Sequence, residues 1–266
     1  MKKTRIIAVA NNKGGVGKTT TAGNLAYGLS RKLLNSEGQP TGYVLVIDLD
    51  PQANLSITFG IDIADLHVSI SEILLEDSLG FEYAIYKKGR LHIVPSTIRL
   101  AVVQRQLQAI TAGEFNLREK LAQVASDYDY IIIDTPPQLS ALLDSALYAS
   151  HEILIPIDVG YYSMLGIQEL LTVVERIRKI NPAIDVSGVL ITFAEMQTVL
   201  SREVIEHARK EFGDRVFNTV IRKNVRLAEA PSAHQTIYEY DRESIGAVDY
   251  LNFVREFVQW REDHAT

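Results

Sequence analysis

Arg5-Ile6-Ile7-Ala8-Val9-Ala10-Asn11-Asn12-Lys13-Gly14-Gly15-Val16-Gly17-Lys18-Thr19-Thr20 is the stretch on which the fold turns. The apolar run 6–10 reads as a buried strand, the glycines as a tight loop, and 19–34 as a helix. In that order, backbone N–H groups at the helix start converge on one point, which is the geometry that cradles phosphate. The usual pattern has glycine at position 12, where Asn12 stands. The physically demanding part is intact: glycines that let N–H groups close round phosphates, Lys18 to meet the β- and γ-phosphates, and Thr19 to hold magnesium.

Further along, strand-like runs at 44–48, 91–95, 130–134, 153–157, 186–192 and 216–221 alternate with helical runs at 117–125, 165–180, 203–212 and about 244–261. Strands that are continuously apolar belong to a largely parallel sheet covered on both sides. The expected fold class is therefore α/β, a single doubly wound, mostly parallel sheet with helices on both faces. Ligands of such folds bind at the carboxyl ends of the strands.

Two strands end in acid. Val44-Leu45-Val46-Ile47-Asp48 runs into Leu49-Asp50-Pro51-Gln52-Ala53-Asn54, and Tyr130-Ile131-Ile132-Ile133-Asp134 runs into Thr135-Pro136-Pro137. A carboxylate at the end of a buried strand is costly unless it is paired or faces a cation. Magnesium beside the phosphates is that cation, and Asp134 is placed to hold it, through water. Either Asp48 or Asp50 is then available to orient an attacking water.

Composition narrows the function further. The 266 residues are 47% hydrophobic and 23% charged, with no low-complexity stretch, which fits a compact fold. The N-terminal apolar run is too short for a signal peptide, and nothing approaches a membrane span. The absence of cysteine excludes disulfides, thiolate catalysis and iron–sulfur clusters. A net charge of −6 excludes nucleic-acid binding through the overall field, so any such contact needs a local patch. The expected location is cytoplasmic.

Four stretches together resemble the ParA/MinD family of deviant Walker-A ATPases, and within it the small ParA or Soj-like partition proteins. They are the run from Lys13 to Thr20, the run from Asp48 to Asn54, Asp134-Thr135-Pro136-Pro137, and Asn224-Val225-Arg226-Leu227-Ala228-Glu229-Ala230-Pro231-Ser232. The resemblance implies one P-loop ATPase domain over 1–266, without an N-terminal DNA-reading domain, that uses ATP and Mg2+. It implies that Lys13 reaches across an ATP-dependent homodimer to the partner's nucleotide, and that Asp50 positions the attacking water. It further implies that Thr19 binds magnesium with support from Asp134, and that 50–54 and 135–140 are switch loops. Lys13, Lys18 and Asp50 are the catalytic candidates. The family's partners would be nonspecific double-stranded DNA and a ParB-like or cargo-adaptor protein that stimulates slow hydrolysis. Nucleoid association follows from the same resemblance.

The DNA reading rests on residues 202–226, which hold seven basic and four acidic side chains, a balance of +3 against −9 for the remaining chain. Arg202, Arg222, Lys223 and Arg226 are the candidates for gripping phosphates without reading bases. Relatives usually show Ile-Pro-Arg-Asn-Val-Arg where this chain has Ile221-Arg222-Lys223-Asn224-Val225-Arg226, and a common loop arginine falls on Gln197. Two other readings share the same ATP site: a MinD-like membrane-associated ATPase and an ATP-dependent small-molecule ligase or kinase. In the C-terminal helix, Leu251, Val254, Phe257, Val258 and Arg261 mark one face, expected to dock on the core, while Glu256, Glu262 and Asp263 disfavour anionic lipid.

Overall fold

The computed structural model describes residues 4–32, 42–160 and 163–264, and its described side chains exclude 163–166 and 261–264. Among the described residues eight strands form one sheet: β1 (Arg5–Val9), β2 (Val44–Asp48), β3 (Tyr86–Lys88), β4 (Leu91–Val94), β5 (Tyr130–Asp134), β6 (Glu152–Asp158), β7 (Asp185–Ala194) and β8 (Val216–Arg222). Their order is β3-β4-β2-β5-β1-β6-β7-β8. Every neighbouring pair is parallel except β3 with β4.

The helices are α1 (Lys18–Lys32), α2 (Asn54–Thr58), α3 (Ile70–Leu75), α4 (Leu100–Ala109), α5 (Asn116–Val124), α6 (Ala141–Ala149), α7 (Ser163–Arg178), α8 (Val199–Phe212), α9 (Val225–Glu229), α10 (Ile237–Tyr240) and α11 (Ile245–His264). Successive strand residues point to opposite faces, so each buried strand feeds two cores. Ile6, Ala8 and Ala10 join a core built from α3 to α8, whereas Ile7 and Val9 join one built from α1 and α11. Every residue of β2 and β5 is buried, which accounts for their unbroken apolar runs.

From β1 the chain crosses to β2 on the β5 side, while β6 lies on the other side of β1. The crevice above this reversal is where doubly wound sheets bind ligands. Register brings Val9, Asp134 and Asp48 level on three adjacent strands, so both strand-end acids arrive beside the phosphate loop.

The last helix docks through Val254, Phe257 and the half-buried Val258 of the expected face, with the seam turned toward Tyr250 and Phe253 and away from Leu251. Tyr250, Phe253, Val254 and Phe257 are fully buried, and Leu251 is 40% exposed. The Arg261 side chain lies outside the described residues. α11 also closes the free edge of β8: Glu256 accepts from the backbone N–H groups of Asn218 and Thr219, and Asp249 from that of Arg222.

Candidate functional site

The phosphate loop is braced from below. Asn11 donates its amide to Pro156 O (2.8 Å) and accepts from Lys13 N (3.0 Å), bending the chain as it leaves β1. Gly15 and Gly17 adopt φ of 75° and 82°, which only glycine takes without strain. Lys18 begins α1, is 6% exposed, and donates from Nζ to Lys13 O at 2.7 Å. Burial lowers its pKa, and the Asp134 and Asp50 carboxylates oppose that shift.

Gly14, Gly15, Gly17, Lys18, Thr19 and Thr20 all line a cavity of about 730 Å³, closed on its far sides by Asp50, Pro137, Phe193 and the 223–228 segment. Val16 is buried behind the loop. Asn12, standing where glycine is usual, donates to Glu169 of α7.

The three acids above the sheet have different partners. Asp48 accepts from Asp50 N (3.1 Å), Ser56 N (2.8 Å) and Ser56 Oγ (2.7 Å), so both its oxygens are engaged in holding the 50–56 segment. Asp50 accepts from Gln52 N at 2.9 Å and faces the cavity. Burial raises the Asp50 pKa, against the pull of the Gln52 N–H and of Lys18. Asp134 is fully buried, and neither oxygen has a partner at full hydrogen-bond geometry, although the Thr19 hydroxyl is close enough to favour the charged form. Its pKa is raised well above the usual carboxylate range by burial and by the Asp48 charge, and the Thr19 hydroxyl and Lys18 work the other way.

An orphaned carboxylate beside a threonine hydroxyl and a phosphate cradle suits magnesium, which takes one or two protein oxygens and completes its shell with phosphate and water. Among the described residues, no group of three or more His, Cys, Asp or Glu side chains is arranged as a metal cage, so a cation there depends on those additional oxygens.

Lys13 is not among the residues that line this cavity. Its Nζ meets both carboxylate oxygens of Asp158, at the end of β6, at 2.9 Å each.

The four basic candidates do not form one patch. Arg202 and Arg222 share a groove of about 630 Å³ between α8 and β8, floored by Ile205 and Val220, and Arg209 joins them. The Arg222 guanidinium is held by Asp249, with contacts of 2.6 and 3.0 Å. Lys223 lines the nucleotide-sized cavity and pairs with Glu195 at 2.6 Å. Arg226 pairs with Glu229 at 2.8 Å and Asp241 at 3.5 Å.

Sequence reasoning did not single out Asp158, Ser56, Thr192 or Phe193. Asp158 ends a strand in acid, as Asp48 and Asp134 do, and that signal was available. The others act through contacts made only on folding.

A family model described as an AAA domain matches residues 4–186. The sporulation initiation inhibitor protein Soj of Bacillus subtilis (strain 168) is 40% identical over 256 residues, covering 95% of this chain and 97% of that protein. The chromosome partitioning protein ParA of Caulobacter vibrioides is 32% identical, covering 97% of this chain and 96% of that one. Among solved structures, cobyrinic acid a,c-diamide synthase from Mycobacterium smegmatis, with bound ATP analogue and magnesium, superposes with a TM-score of 0.83 at 28% identity, over 99% of this chain and 97% of that one. With a phosphate loop, paired strand-end acids and full-length relatives all in agreement, the chain belongs to the ParA/Soj family of P-loop ATPases.

Proposed function

We propose that the protein is an ATP-driven positioning switch that dimerises on ATP, binds nonspecific double-stranded DNA as the dimer, and lets go when a partner stimulates hydrolysis. The observation that carries the ATP half is Asp134, buried and without a fully formed hydrogen bond beside Lys18 and the phosphate loop. Lys18 meets the β- and γ-phosphates, and Thr19 and Asp134 hold Mg2+. The magnesium, when bound, neutralises phosphate charge. Asp50 orients the water that attacks the γ-phosphate, because both Asp48 oxygens are occupied by Ser56 and the Asp50 N–H. The products are ADP and phosphate.

Lys13 serves the partner's nucleotide across the dimer. Its contact with Asp158, made outside the lining of the cavity, is compatible with that role, since Lys18 already serves the chain's own cavity. DNA contact falls to the α8–β8 groove, where Arg202, Arg209 and Arg222 line one surface. The activating partner is a ParB-like or cargo-adaptor protein, and the protein works in the cytoplasm on the nucleoid. Tyr250, Phe253, Val254 and Phe257 of α11 are buried in the core, which argues against a MinD-like membrane role although Ile245, Val248 and Leu251 stay exposed, and no described helix is long and apolar enough to cross a membrane.

The test is binding of Asp50→Ala to a random-sequence duplex, with ATP and with ADP, across a salt series. Tight, salt-sensitive binding with ATP alone supports the switch. Absence of binding in both states, despite an ATP dimer, removes DNA from the proposal. The ligase reading predicts a product besides ADP and phosphate.

A further inference from the structure

Two residues at the end of β7 reach the phosphate loop from across the sheet. The Thr192 hydroxyl lies 2.9 Å from Val16 O and 3.0 Å from Ile157 O, its one proton shared between them. The next residue, Phe193, has φ of +54°, a conformation in which a bulky side chain is a genuine outlier. Such strain persists where the surrounding structure enforces it, and it clusters at functional sites. Its effect here is to turn the ring onto the loop: a side-chain carbon at position 17 would meet the ring at 3.0 Å. The same ring lines the nucleotide-sized cavity.

The peptide joining Val16 to Gly17 is planar and trans, so its C=O and N–H point in opposite directions. With Val16 O tied to Thr192, the Gly17 N–H is fixed on the opposite side of the peptide, and Gly17 itself lines the cavity. Gly17, at φ of +82°, lacks a side chain to hold that orientation, and the Phe193 ring supplies the missing surface.

We infer that Thr192 and Phe193 are positioning residues that set the Gly17 peptide for phosphate before the nucleotide arrives. The loop is preorganised by β7 and does not depend on its own residues alone. This inference rests on the reading of the loop as an ATP site.

The test compares Phe193→Ala, Phe193→Gly, Phe193→Leu and Thr192→Val with the unsubstituted chain by calorimetric titration of ATP and ADP, thermal melting and steady-state hydrolysis. Phe193→Ala and Phe193→Gly are expected to weaken ATP and ADP alike by at least about tenfold, with KM raised and kcat at saturating ATP nearly unchanged. Phe193→Gly, which relieves the backbone, should melt above Phe193→Ala, and a cooperative melt identifies the folded variants for comparison. Phe193→Leu should recover most of the affinity, and Thr192→Val should lose it in the same manner. Affinities of the Ala and Gly variants within twofold of the unsubstituted chain would overturn the inference, as would a loss confined to kcat. If the unsubstituted chain binds neither nucleotide, the ATP site itself is wrong and both readings fall.

Discussion

Lys13 and Asp158 form a two-pronged contact within one chain, with Nζ at 2.9 Å from each carboxylate oxygen. A lysine that acts on a partner's nucleotide has to leave that contact first. The two side chains are 33% and 24% exposed, and a pair this wet is worth at most about 1 kcal/mol, roughly a fivefold factor. Asp158→Asn is therefore expected to tighten ATP-dependent dimerisation by up to about fivefold. Lys13→Ala should leave ATP binding to the monomer and block the dimer. Sedimentation equilibrium with ATP measures both, and a Lys13→Ala chain that dimerises normally rules out the action in trans.

Asp134 makes the nucleotide-free protein less stable than it need be. Its folded pKa lies above the unfolded value, so this group favours folding only at acidic pH and opposes it as pH rises through the folded pKa. Asp134→Asn should accordingly raise the melting temperature of the nucleotide-free protein near pH 7, by the equivalent of about 1–3 kcal/mol, and flatten its fall with rising pH. The same variant should lose the extra thermal stabilisation that magnesium adds to ATP. A destabilised nucleotide-free variant contradicts the assignment.

Asp48 and Asp50, two residues apart, should separate cleanly. Asp50→Ala is expected to lower ATP turnover by about 10²- to 10⁴-fold and trap the ATP dimer, with little change in melting. Asp48→Ala removes the acceptor for Ser56 N, Ser56 Oγ and Asp50 N in a fully buried place, and should cost about 1–3 kcal/mol in denaturant unfolding. Equal turnover losses without a stability difference would place the water on the wrong acid.

Arg202→Ala and Arg209→Ala should each weaken DNA binding and reduce its salt slope by about one ion. Arg226→Ala, whose guanidinium is already shared between Glu229 and Asp241, should change DNA affinity little. Lys223→Ala should act on nucleotide affinity, since Lys223 lines that cavity. Filter binding at several salt concentrations and a nucleotide titration distinguish these outcomes.

What could be read in advance was whatever is local along the chain. β2 and β5 are unbroken apolar runs closed by an acid, and both appear over the residues expected, 44–48 and 130–134. β3 has no such signature: Tyr86, Lys87 and Lys88 are all exposed, and the strand exists only because it pairs with β4. α4 and α6 went unread, although Leu100, Val103 and Leu107 recur at helical spacing and Ser140 caps α6 by accepting from Leu143 N. The phosphate loop and Asp134 were legible because their chemistry is contiguous. Phe193 was not, because its role comes from a backbone angle and from a loop 176 residues away along the chain, measured at its neighbour Thr192. The charge of the basic window is legible only in part, for a related reason. Counting charge over 202–226 omits Asp249, Glu229 and Asp241, which fold back onto Arg222 and Arg226 from outside it.

The clasp of α11 on β8 bears on how copies of this chain can assemble. Its carboxylates occupy the N–H groups that a neighbouring strand would need, and at the opposite border β3 offers only three residues, two of them lysines. Neither flank of the sheet is a template for adding strands, which is how edge-to-edge fibres grow. Strand addition at either flank is thereby disfavoured, and the proposed ATP-dependent dimer has to be built from other surfaces. A dimer of the proposed kind would then come apart on hydrolysis with no sheet to dismantle.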